Sequence, residues 1–80
     1  MDKKEIIKIF SGNVRAERAR KQYSQEKLAE MAGITTEYLA RIEKEKYSPS
    51  LVVIVNLAIA LGVSVDKLIP IENIQTYIKP

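Results

Sequence analysis

Within TTEYLARIE, residues 35–43, a carboxylate and a guanidinium stand four positions apart, Glu37 and Arg41, with two threonine hydroxyls, Thr35 and Thr36, just ahead of them. Residues four apart are neighbours on a helix surface, so this set presents donors and acceptors together on one face. The chemistry it can do is recognition by hydrogen bonds. Catalysis is not expected, because the 80 residues contain no histidine and no cysteine. That excludes zinc fingers, thiol chemistry and the usual nucleophile–base pairs. Neither a glycine-rich phosphate loop nor a cluster of carboxylates stands out. The expectation is a non-enzyme with no metal and no cofactor.

The elements that must position this set are legible around it. Ser24 is a good N-cap, and Gln25 and Glu26 suit the positive end of a helix that carries Leu28, Ala29 and Ala32 on its inward stripe. Gly33 then ends that helix, since a left-handed residue without a Cβ closes a helix at little steric cost. Ile34 fills the corner, and Thr35 caps a second helix with Leu39 and Ile42 turned inward. Thr36, Glu37, Ala40 and Arg41 fall on the opposite side. Two short helices joined this way, the second with a polar outer face, are the sequence form of a helix-turn-helix.

The flanks predict three further helices and no internal repeat. A first helix runs from Lys3 or Glu5 to Lys21, with Ile6, Phe10, Val14 and Arg18 on one face and a possible break at Ser11 and Gly12. After the loop KEKYSPS, Ser50 caps a fourth helix that Gly62 ends, and Ser64 caps a short fifth helix, VDKLI, closed by Pro70. This gives one domain over residues 1–69 and a tail over 70–80. Eighty residues support only a marginal core, and with no disulfide or metal to help, association with a partner is the natural extra support. The apolar run Leu51–Leu61 is interrupted by Asn56 and falls short of the roughly 20 residues that span a bilayer. The charged start MDKKEIIKIF lacks the features of an export signal. No membrane association and a cytoplasmic location are therefore expected. Residues 1–48 hold 11 of the 13 basic and 8 of the 10 acidic residues, so the entire net charge of +3 lies in the half that contains the two-helix motif. A modest positive field there suits an anionic partner.

The chain resembles the phage-repressor and Cro-like (XRE-type) family of DNA-binding domains over roughly residues 12–69, through GNVRAERARK, SQEKLAEMAG, ITTEYLARIEK, SPS and LAIALGVSVDKL in that order. The resemblance implies an all-α fold, a compact five-helix lambda-repressor-like domain with a short C-terminal extension. It also implies a sequence-specific regulator that occupies an operator in double-stranded DNA. The second helix of the motif would then enter the major groove. There arginine can donate to guanine, glutamate can accept from cytosine and a threonine methyl can touch thymine. The base-reading candidates are Thr35, Thr36, Glu37 and Arg41, although the Thr35 hydroxyl is also the cap. Gln25, whose family equivalent contacts phosphate, is a candidate backbone contact together with Tyr38, Lys44 and Lys46, each lysine being equally readable as a solvated charge. In the related family the arginine equivalent to Arg18 pairs with a glutamate at the place of Glu43, which predicts a partly buried ion pair. One departure is Glu45, where relatives usually have glycine: either the loop turns differently or Glu45 sits in a strained conformation.

The fourth helix has more apolar residues than one buried face needs. Leu51, Ile54, Leu57, Ala58 and Leu61 suffice for a core stripe, leaving Val52, Val55 and Ile59 as a second one. Ile71, Ile74, Tyr77 and Ile78 of the tail also recur at helical spacing. Together these are the candidate interface of a homodimer, with the tail packing on the second stripe within one chain or across a two-fold axis. A different class of function uses the same residues: an antitoxin-like or anti-repressor module that binds another protein.

Overall fold

The computed structural model describes residues 2–70. The tail candidates Ile71, Ile74, Tyr77 and Ile78 lie outside the described residues. The described residues form five helices and no strand: α1 Lys3–Lys21, α2 Gln25–Ala32, α3 Thr36–Glu43, α4 Leu51–Leu61 and α5 Val65–Leu68. Four starts carry a side-chain cap. Asp2, Ser24, Thr35 and Ser50 each accept from the backbone N–H three residues on, at 2.9, 3.0, 3.0 and 3.3 Å. Ser64 occupies the same position before α5 without making that bond.

The first four helices end alike. In each, one residue in the left-handed region donates its N–H back three residues, and the next residue donates back five, the Schellman arrangement. The left-handed residues are Gln22 (φ 60°), Gly33 (φ 74°), Glu45 (φ 64°) and Gly62 (φ 69°). Tyr23, Ile34 and Val63, which follow three of them, pack against the core. Glu45 therefore takes a left-handed turn that glycine would make without strain, and bears that strain itself.

Phe10, Val14, Leu28, Ala29, Leu39, Ile42, Leu57, Leu61 and Leu68 are sealed at the centre, one or more from every helix. α2 packs on α3 and α4, and α1 packs across α3, α4 and α5. Two expectations are corrected. α1 runs unbroken through Ser11 and Gly12, because the buried Ser11 hydroxyl donates to the Ile42 carbonyl at 2.6 Å and so fits the interior instead of disrupting it. Leu51 is not part of the core: it is 74% exposed, whereas Leu57 and Leu61 are sealed. Burial deepens along α4 toward its C-terminal half, so Leu51 instead joins Val52 (65%), Val55 (37%) and Ile59 (72%) on an exposed apolar face.

Candidate nucleic-acid interface

α3 is held from behind by polar contacts as well as by Leu39 and Ile42. Glu43, its last residue, is 4% exposed, and its carboxylate accepts three hydrogen bonds. Arg18 Nε lies 2.8 Å from Oε2, Arg18 Nη2 2.9 Å from Oε1, and Gln25 Nε2 3.0 Å from Oε1. Arg18 Nη1 also donates to the Tyr23 carbonyl at 3.1 Å. The hydrogen bonds to Glu43 raise the Arg18 guanidinium above its ordinary pKa, partial burial opposes the shift, and the nearby negative charge adds to it. Two carbonyls at the end of α3 accept from α1 side chains: Ser11 donates to Ile42 O and Arg15 to Glu43 O. α1 and α2 thus clamp the C-terminal end of α3, and the angle of its outer face follows from that clamp.

The outer face carries the residues that spacing singled out. Thr35, Thr36, Glu37 and Arg41 are all exposed. The Thr35 hydroxyl accepts from the Tyr38 N–H, which uses its oxygen as cap while leaving its own hydrogen to donate. Arg41 does not stand free. Its Nη2 lies 3.0 Å from Glu37 Oε1, one helical turn back, and its Nη1 donates to the Tyr47 hydroxyl at 2.7 Å. Its guanidinium carbon is 5.7 Å from the Tyr47 ring centre. The bond to Tyr47 is the leading reason that Arg41 is raised above its ordinary pKa. Tyr47 in turn meets the Tyr38 ring edge-on, with centroids 5.4 Å apart. Thr35, Glu37, Tyr38, Arg41 and Tyr47 line one open hollow of about 350 Å³.

Gln25 is placed at the start of α2 as spacing implied, but one of its amide hydrogens is committed to Glu43. A second open hollow, about 620 Å³, is lined there by Arg18, Ser24, Gln25, Glu26 and Thr36. It adjoins the N-terminal end of α2, where unpaired N–H groups attract anions. Lys44 and Lys46 are exposed in the turn after α3 and make no ion pair among the described residues. Sequence reading missed Tyr47, Ser11 and Arg15. The tyrosine had a faint signal as the single aromatic residue in KEKYSPS. The other two had none, since their partners are backbone carbonyls far along the chain.

An exposed polar helix braced on its inner side and preceded by a capped, glycine-ended helix defines the class: a helix-turn-helix DNA-binding transcription regulator. The comparisons agree, for a profile of the helix-turn-helix family matches residues 14–68, and the chain belongs to that family. Control protein C.SmaI of Serratia marcescens is 36% identical over 71 residues, which span 89% of this chain and 84% of that protein. The crystal structure of the restriction-modification controller protein C.AhdI from Aeromonas hydrophila aligns with a TM-score of 0.75 at 34% identity, over 78% of this chain and 94% of that one. The hypothetical transcription factor NHTF from Neisseria aligns with a TM-score of 0.79 at 29% identity, over 95% and 90% of the two chains.

Proposed function

We propose that the protein binds a palindromic operator in double-stranded DNA as a homodimer, in the cytoplasm, and regulates transcription by occupying that site without chemical turnover. The observation that carries the reading is the division of α3 into two faces. Leu39, Ile42 and Glu43 are sealed, while Thr36, Glu37 and Arg41 are exposed on a helix of fixed angle. Thr35, Thr36, Glu37 and Arg41 face base edges, and Gln25, Tyr38, Lys44 and Lys46 meet the phosphate backbone, fixing register without reading sequence. The exposed apolar face of Leu51, Val52, Val55 and Ile59 supports the dimer, because a monomer has no use for so contiguous a patch. Two-fold symmetry would set the paired α3 helices roughly 34 Å apart, on successive major grooves.

Selection of bound duplexes from a random pool, with affinity followed against salt, tests this directly. A consensus with two inverted half-sites is expected, together with a steep salt dependence from displaced counterions. Weak binding that shows no sequence preference and vanishes with salt would refute operator recognition. The apolar face also favours a second reading, an antitoxin-like or anti-repressor module whose α4 is covered by a foreign chain. Sedimentation separates the two, since a stable dimer of this chain alone leaves that face occupied by its own copy.

A further inference from the structure

We infer that Tyr47, a loop residue outside α3, sets base specificity by holding the Arg41 guanidinium in its reading orientation. The inference rests on the proposed role of Arg41 and extends it to a residue beyond the recognition helix. Three observations on different side chains support it. The Tyr47 hydroxyl accepts from Arg41 Nη1 at 2.7 Å, Glu37 Oε1 lies 3.0 Å from Nη2 as its counter-charge, and the Tyr47 ring is itself steadied edge-on by Tyr38. The two terminal nitrogens of Arg41 are thus each fixed by one partner, one from its own helix and one from the loop.

That division leaves the arginine able to read. Five N–H groups radiate from a guanidinium, and the hydrogen bond to Tyr47 uses one of them while Glu37 stands beside Nη2 as a counter-charge, leaving four donors. Two N–H groups on neighbouring nitrogens are what guanine O6 and N7 accept from an arginine. A long, exposed side chain ordinarily loses rotamer freedom when it docks. Here Tyr47 and Glu37 have removed much of that freedom before DNA arrives. Tyr47 is therefore a positioning residue: it acts through Arg41, and its own contact with DNA is not required.

The test is a four-protein comparison of wild type, Tyr47→Phe, Arg41→Ala and the double variant. Each is titrated with the selected operator and with operators changed at the base pair that Arg41→Ala identifies. Tyr47→Phe keeps the ring and its packing on Tyr38 and removes only the hydroxyl, and circular dichroism checks that the fold is unchanged. The expected result is a loss of about 2- to 10-fold in discrimination at that base pair, the size of freeing one ordered side chain, with the salt slope unaltered. In the Arg41→Ala background the same change has no further effect, as expected of residues that act as a unit. An equal loss in both backgrounds would overturn the inference by showing that Tyr47 touches DNA independently. Undiminished or stronger discrimination in Tyr47→Phe would also overturn it, the gain marking Tyr47 as a competitor for the arginine. If Arg41→Ala itself left discrimination intact at every position, the reading role of Arg41 would fall and this inference with it, an outcome distinct from failure of Tyr47→Phe alone.

Discussion

Replacing Glu43 with glutamine removes one charge and exchanges one acceptor oxygen for an amide donor at the junction of α1, α2 and α3. The native carboxylate is 4% exposed and accepts from Arg18 twice and from Gln25 once. In Glu43→Gln an N–H group points at an Arg18 N–H, and the guanidinium loses its counter-charge. Breaking a fully buried pair from one side costs about 3–5 kcal/mol. Arg18 is 23% exposed, so water recovers part of its solvation, and about 2–3 kcal/mol is the expected loss once this screening is allowed for. A chain of this length has only about 4–12 kcal/mol of stability in all. The melting temperature should therefore fall by roughly 10–20 °C. Urea and thermal melts of Glu43→Gln, Arg18→Met and Arg18→Met/Glu43→Met measure it. The double variant should lose less than the two single variants together, because neither leaves the other's orphan behind. A loss below about 0.5 kcal/mol for Glu43→Gln, the scale of an exposed pair, would refute the reasoning. Arg18 also has a definite pH sign. Its folded pKa is raised, so its contribution is complete below the unfolded value and is lost only as pH climbs through the folded one, in strongly alkaline solution.

Other substitutions probe separate parts of the structure. Glu45→Gly relieves a left-handed residue but loosens the unfolded chain, and should raise stability by about 0.5–1 kcal/mol in urea melts. A decrease would mean that the Glu45 side chain makes a stabilising contact that outweighs its strain. Ser11→Ala deletes a buried hydroxyl from a carbonyl that keeps its second donor, Glu45 N–H, so about 1 kcal/mol should be lost without any change in the helical spectrum. Ile59→Lys places a charge on the exposed α4 face, at a residue that is 72% exposed. Sedimentation should then show monomer with an unchanged melting profile at low concentration, and persistence of dimer would move the interface elsewhere.

Much of the fold was legible because its cues are local. Ser24, Thr35 and Ser50 cap helices within three residues, Gly33 and Gly62 end them, and Leu28, Leu39, Ile42, Leu57 and Leu61 repeat at the helical period. The candidate reading face was legible for the same reason: once α3 is placed and its apolar side is known, Thr36, Glu37 and Arg41 must lie opposite. Leu51 was misjudged because periodicity assigns a face but not a depth. It stands where α4 has not yet entered the core.

The sequence by itself determined where each helix starts and stops, which side of it is apolar, and which polar residues of α3 are left over, since all of these depend on neighbours within about one helical turn. Only the tertiary structure decided what those residues meet. Ser11 reaches a carbonyl 31 positions away, Arg18 joins Glu43 across 25, and Gln25 gives an amide hydrogen to the same carboxylate across 18. Glu45 shows the same division within one residue: the sequence shows that no glycine stands there, but only the tertiary structure shows the backbone making a left-handed turn and taking the strain. Tyr47 belongs to the tertiary side for a plain physical reason. A loop has no period from which direction can be read, so its meeting with Arg41 follows only from the turn that carries the chain back past α3.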